Sequence, residues 1–186
     1  MCRLVQERLY SWCIIILNKW DKNWGNQILF SFRTIDIPKD SKTITTFRRD
    51  SYIISFGDES LFGDDDSYLN KISERLIKYP NGLVLVEVDR KPVGQIELQV
   101  KLFENKEVGY VNLFYLISEY RGKGYGAKLI EYAENFFRKY NVDEYQLRVS
   151  KTNISAISFY KKHGFEVLKI EEEDTIPRFR MQKLLD

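Results

Sequence analysis

Apolar and polar positions change rhythm several times along this chain, and each change marks an element. Val5, Leu9, Trp12, Cys13, Ile16 and Trp20 recur at helical spacing, so residues 1–25 read as an N-terminal extension carrying an amphipathic helix. Residues 28–37 alternate in part and stop at Pro38, the pattern of a first strand. The segments 41–56 and 68–79 read as helices, the second with Leu69, Ile72, Leu76 and Ile77 on one face. Between them lies an acidic, glycine-punctuated loop over 57–66.

Pro80-Asn81-Gly82 signals a turn, and the period then shortens from helical to strand-like. Runs at 83–88, 93–103 and 108–117, joined by short polar turns, predict an antiparallel meander. A glycine-rich stretch leads into a helix over 127–140, where Leu129, Ile130, Ala133, Phe136 and Phe137 form a stripe. A strand at 145–149, a short helix over 155–163 ended by Gly164, and closing strands at 165–171 and 179–185 complete the pattern. The order predicts an α+β (α/β mixed-sheet) fold over residues 26–186 as a single domain.

Charge and cysteine content narrow the classes. A formal net charge of +2 gives no electrostatic case for nucleic acid as a partner, and the pairs Arg48-Arg49 and Lys161-Lys162 read as solvated faces. Cys2 and Cys13 match neither a metal-binding spacing nor a disulfide framework, which points to a reducing, cytoplasmic setting without a metal. The apolar run 13–17 is shorter than the ~20 residues a membrane span needs. Glu7 breaks the basic region before it and no small-residue cleavage site follows, so neither a signal peptide nor a membrane association is expected.

The strongest chemical signal is Arg121-Gly122-Lys123-Gly124-Tyr125-Gly126, between a strand and a helix. Glycines adopt positive φ and let the backbone approach a ligand. The free N–H groups of the following helix turn, with the helix dipole, attract phosphate. A P-loop would need Lys-Ser/Thr after its last glycine, but Ala127-Lys128-Leu129 follows here. A dinucleotide fingerprint would need its third glycine one position later, in a βαβ unit.

These residues resemble the Arg/Gln-x-x-Gly-x-Gly/Ala loop of the GCN5-related N-acetyltransferases (GNAT). Asn153-Ile154-Ser155-Ala156-Ile157-Ser158-Phe159-Tyr160, followed by Gly164-Phe165, resembles the family's second signature, Asn-x-x-Ala-x-x-Phe-Tyr with a Gly-Phe turn. The resemblance implies a mostly antiparallel sheet splayed between its fourth and fifth strands, here 108–117 and 145–149, with acetyl-CoA as co-substrate in the gap. It implies that backbone groups at Leu116 and Ile117 pair with the pantetheine arm. Arg121, Gly122, Lys123, Gly124, Tyr125, Gly126 and Ala127 would bind the pyrophosphate, while Asn153 and Ala156 would line the pantetheine. The implied reaction is direct acetyl transfer to a primary amine, on a small molecule or a protein. A non-catalytic acetyl-CoA sensor or interaction module is the alternative, and the closing strands offer a surface for a homodimer.

Tyr160 suits proton delivery to the leaving thiolate, since a phenol with a pKa of ~10 is protonated at neutral pH. Glu97, on the middle strand of the meander, is the candidate general base if it faces the acceptor cleft and a solvent-facing residue if it does not. Asn112 stands on the fourth strand where a carboxylate would have marked a base, so a water wire is the other route. His163, before Gly164, reads as a helix-end residue. Asp58, Glu59, Asp64, Asp65 and Asp66 would attract a cationic acceptor or merely keep the loop solvated.

Overall fold

A computed structural model describes residues 28–172 and 176–185. The helix expected within 1–25, with both cysteines, lies outside the described residues. The elements run β1 (Phe30–Thr34), α1 (Ile37–Phe56), α2 (Asp65–Lys78), β2 (Leu83–Val88), β3 (Lys91–Phe103), β4 (Lys106–Leu116), α3 (Tyr125–Arg138), β5 (Glu144–Ser150), α4 (Ile154–Lys162), β6 (Glu166–Glu171) and β7 (Arg178–Leu184), with short 3-10 turns at Glu59–Phe62 and Ser118–Tyr120. Among the described residues, no helix is long and apolar enough to cross a membrane.

Two expectations at the start of the domain need correction. Pro38 does not end a strand; it occupies the first turn of α1, which therefore begins at Ile37. Proline is at home there, because its missing N–H would have had no partner in the helix. The acidic loop is also more structured than its composition suggests. Asp58 accepts from the Ser60 N–H, and Asp64 accepts from the Ser67 N–H at 2.8 Å as the N-cap of α2. Asp65 pairs with Arg49 at 2.9 Å. Three of the five carboxylates thus have local work that needs no cationic ligand.

The seven strands form one sheet in the order β1-β2-β3-β4-β5-β7-β6. Every pairing is antiparallel except β4 with β5. Strand alternation sorts the two faces. Gln95 and Glu97 of β3 meet Tyr68 of α2, so odd-numbered β3 residues face α1 and α2. Val100 pairs with Gly109 of β4, and a Cβ on Gly109 would lie 2.6 Å from the Phe137 ring of α3. Even-numbered β3 residues, including the fully buried Ile96 and Leu98, therefore face α3. Absence of a side chain at Gly109 sets how closely α3 approaches the sheet.

A cluster of charges joins β1, α1 and β2. Arg33 donates to Asp40 at 2.8 and 3.0 Å and to Glu87 at 2.8 Å. The Asp36 N–H also donates to Asp40 at 2.8 Å. Burial alone would raise the Asp40 pKa, but Arg33 and that N–H together hold it below the usual carboxylate value.

Two irregularities in the sheet prepare a site. Glu97 pairs with Leu113 and Leu98 with Val111, so Asn112 is an extra residue that bulges β4. Immediately beyond, β4 and β5 part. They pair only at Gly109–Tyr145, Tyr110–Gln146 and Val111–Leu147, although β4 continues to Leu116 and β5 to Ser150. The splay expected between these strands is present.

Candidate active site

The gap between the diverging strands has the C-terminal end of β4 on one side. The Ile117 N–H donates to the Val93 carbonyl at 2.9 Å, and its own carbonyl accepts from the Tyr120 N–H at 3.0 Å. Both backbone groups of Ile117 thus have partners within the protein. Backbone direction alternates along a strand, so the Leu116 groups point the other way, toward the gap. The Leu116 carbonyl accepts from Arg121 Nε at 2.7 Å, which leaves its N–H facing the opening.

Arg121 is also held by Asp50 at 3.4 Å, and the same carboxylate accepts from the Tyr115 hydroxyl at 2.7 Å. The guanidinium lies over the Tyr115 ring. Arg121 thus pins the start of the glycine loop to the end of β4. Gly122 and Gly124 adopt φ of 69° and 83°, and a Cβ at either would meet open space. The glycines are needed there for backbone conformation. Among the described residues, the N–H groups of Gly122, Lys123 and Gly124 donate to no backbone acceptor, whereas Ala127 N–H reaches the Gly124 carbonyl at 3.3 Å.

Gly124 caps α3, so the next N–H groups belong to a helix N-terminus. Lys123 is exposed beside them. Tyr125 stacks on Phe30 with ring centroids 5.4 Å apart, fixing the helix start against β1. Gly126 has a different task from the other two glycines, because a Cβ there would lie 2.8 Å from the Phe159 ring. It lets α3 and α4 pack. The loop as a whole is a basic, open cradle of backbone donors, and its chemistry fits a pyrophosphate.

Across the gap, Asn153 caps α4 by accepting from the Ala156 N–H at 3.1 Å. Tyr160 packs its ring on Phe159 and Phe165, each at 5.4 Å. Burial pushes its phenol well above the ordinary tyrosine pKa, and its hydroxyl has no hydrogen-bond partner among the described residues. His163 closes α4, its Nδ1 2.8 Å from the Phe159 carbonyl, and serves the helix end as expected.

Glu97 departs from the solvent-facing reading of it. It is fully buried, so it does not face solvent. It accepts from the Tyr68 hydroxyl at 2.8 Å, from Arg75 at 3.1 Å and from Gln95 at 3.1 Å. Its two oxygens are thus engaged by three donors from α2 and β3. Its proximity does act on Tyr68, whose phenol is pushed well up by burial first and by the Glu97 charge second. The same face contains the residues that sequence reading missed. Arg48, read as part of a solvated pair, is partly buried and donates to the Asn112 carbonyl at 2.9 Å. Gln99 donates to the Asn112 side chain at 2.7 Å. Gln95 Oε1 and Asn112 Nδ2 are buried without a partner among the described residues.

Comparison with known proteins agrees with this geometry. The model of the acetyltransferase (GNAT) family matches residues 44–165. An uncharacterized N-acetyltransferase of Archaeoglobus fulgidus is 34% identical over 83 residues, which is 43% of this chain and 56% of that protein. An N-alpha-acetyltransferase of Sulfurisphaera tokodaii is 31% identical over 106 residues, 52% of this chain and 64% of that protein. The chain spans about half the length of the curated relatives it matches. Among solved structures, PaiA N-acetyltransferase from Thermoplasma acidophilum, in complex with coenzyme A, superposes with a TM-score of 0.65 at 25% identity, covering 83% of this chain and 98% of that one. With two thirds of its length matched by the family model, its sheet splayed beside a basic glycine loop and its fold shared with these proteins, this chain belongs to the GNAT acetyltransferase family.

Proposed function

We propose that this protein moves the acetyl group of acetyl-CoA to a primary amine, with both substrates bound together in the gap between β4 and β5. The observation that carries the proposal is the separation of the two strands beyond Val111–Leu147, with a cradle of unpaired backbone donors at residues 122–124 beside it. Acetyl-CoA supplies, when bound, an acyl carbon already activated as a thioester. Gly122, Lys123, Gly124 and the first turn of α3 hold its pyrophosphate, and Arg121 fixes that loop to β4. Asn153 and Ala156 line the arm, and the Leu116 N–H donates to the carbonyl oxygen as negative charge grows on it.

As the nitrogen–carbon bond forms and the carbon–sulfur bond breaks, the thiolate takes a proton from Tyr160. Its raised pKa keeps that proton in place at neutral pH. The amine must lose one proton. With Glu97 committed to three donors, that proton leaves through water, which in turn restores the Tyr160 phenol, and the atoms of Gln95 and Asn112 that lack a partner among the described residues are suited to ordering such a water.

A protein α-amine is the acceptor class we favour. Support comes from relatives named as N-alpha-acetyltransferases in Sulfurisphaera tokodaii and Danio rerio. The test is incubation with acetyl-CoA and a panel of short peptides and diamines, following free thiol and product mass. Acetylated peptide, formed only with active protein, supports the reading; thiol release without any acetylated amine opposes it.

A further inference from the structure

Helix α1 grips the end of β4 through a carboxylate that the proposed chemistry does not use. Phe47 and Asp50 are three positions apart on α1, so their side chains are neighbours on one side of the helix. Phe47 packs on the Tyr115 ring with centroids 4.9 Å apart, and Asp50 Oδ2 accepts from the Tyr115 hydroxyl at 2.7 Å. Burial, and then the bond to Asp50, raise the Tyr115 phenol above its ordinary pKa, so the hydroxyl keeps the proton that it donates.

The same oxygen reaches the glycine loop. Asp50 Oδ2 lies 3.4 Å from Arg121 Nη2, and Arg121 Nε donates to the Leu116 carbonyl at 2.7 Å. The guanidinium also lies over the Tyr115 ring, 5.6 Å from its centroid, so the three side chains close on one another. The Leu116 N–H sits in the planar peptide unit that joins Tyr115 to Leu116. Asp50 therefore holds β4 on both sides of that N–H: before it through the Tyr115 side chain, and after it through Arg121 and the Leu116 carbonyl. The Asp50 and Arg121 side chains are each 41% exposed, and an ion pair so open to water adds little to stability. What the arrangement fixes is direction.

We propose that Asp50 is a positioning residue for acetyl transfer, aiming the Leu116 N–H at the acetyl carbonyl and tying that aim to the start of the glycine loop. It acts through Tyr115 and Arg121 rather than on a substrate. A donor that is displaced from the growing oxyanion loses much of its effect on rate, while binding made elsewhere along the cofactor persists. The consequence for rate rests on the acetyl-transfer reading, whereas the hold on Leu116 stands on these contacts alone.

The full chain is compared as wild type, Asp50→Ala, Asp50→Asn and Asp40→Asn. Asp50 is half-buried, and asparagine keeps an oxygen for the Tyr115 hydroxyl should alanine fail to fold. Asp40 belongs to the Arg33 cluster, so Asp40→Asn is the control that loses stability without touching the end of β4. Three quantities are read: kcat and KM with an α-amine peptide, the acetyl-CoA Kd by calorimetry, and the Leu116 amide resonance of isotope-labelled protein with CoA and with acetyl-CoA. The two ligands differ only in the acetyl group, so the difference between their spectra at Leu116 reads its bond to the acetyl carbonyl. Asp50→Ala is expected to lower kcat about tenfold or more, with KM and Kd changing much less, and to shrink the Leu116 difference. Asp50→Asn should fall between Asp50→Ala and wild type, and Asp40→Asn should keep the wild-type kcat and difference. A wild-type kcat in both Asp50 variants, a loss confined to KM, or a Leu116 difference that is absent from wild type or unaltered in Asp50→Ala overturns the proposal. If the Leu116 difference depends on Asp50 while no peptide is acetylated, the hold on the Leu116 donor stands and the acetyl-transfer reading fails.

Discussion

Arg48 of α1 donates to the main-chain carbonyl of Asn112, 2.9 Å away, at the residue where β4 carries its extra position. A helix side chain thus holds open the bulge from which β4 turns away from β5. Replacing Arg48 with Met removes that donor and leaves a carbonyl inside the site without a partner. Such a loss costs about 1–3 kcal/mol. We expect a lower urea midpoint and a fall in kcat of about tenfold or more, because the Leu116 N–H four residues on is no longer aimed correctly. Acetyl-CoA affinity, set by the glycine loop, should change much less. Urea unfolding, a kcat measurement and a calorimetric titration together check this.

Tyr160 is the proposed proton donor. Tyr160→Phe should lower kcat by about 10²–10⁴-fold while acetyl-CoA binds as before, since the ring that packs on Phe159 and Phe165 is retained. The pH dependence has a definite sign. Burial raises the phenol above its ordinary value, so the acid form persists through neutral pH and the wild-type kcat should show no falling limb from this group below about pH 10. A kcat–pH profile of the two proteins decides it.

Gly109 tests the packing. Alanine is normally well tolerated in place of glycine in a strand, but here its Cβ would lie 2.6 Å from the fully buried Phe137 ring. Gly109→Ala should destabilise by about 1–3 kcal/mol through overpacking. Adding Phe137→Leu should recover part of the loss. Thermal unfolding of the single and double variants provides the comparison.

Asp40 sets an acid limit. Its folded pKa is lowered, so it stabilises the fold fully above its unfolded pKa of about 3.9 and loses that contribution as pH falls through the lower folded value. Asp40→Asn should cost about 2–3 kcal/mol at pH 7, as expected for a hydrogen-bonded charge pair. It should also reduce the acid sensitivity of stability below pH 4. Urea midpoints from pH 7 to pH 2 give both quantities.

Legibility in the sequence followed the range of the interactions. Local periodicity located β2 at 83–88 and placed the glycine loop between β4 and α3, because each depends on neighbours in sequence. The order of strands and the splay came from the family resemblance. Burial of Glu97 was not legible, since its partners Tyr68 and Arg75 lie on a different element and alternation says only that it opposes Ile96. Arg48 was read as solvated for the same reason: its acceptor is 64 positions away. The capping role of Asp64 was within reach, as an aspartate directly before a helical pattern is a start signal. Counting it among loop charges hid that signal. Gly126 matched the family motif, yet its contact with Phe159 belongs to helix packing, which no spacing rule separates from ligand binding.

The central claim is that acetyl-CoA binds the open backbone of residues 122–124. It is tested most directly by the thermal unfolding midpoint with and without acetyl-CoA, with NADH and Mg-ATP as controls, in wild type and in Gly124→Glu. A ligand at 100 times its Kd stabilises by ~2.7 kcal/mol. Acetyl-CoA alone should raise the wild-type midpoint, and Gly124→Glu should fold but show no rise, because it introduces a side chain and a negative charge where φ is 83° and phosphate must sit. A midpoint unmoved by acetyl-CoA and raised by NADH or Mg-ATP would contradict the account.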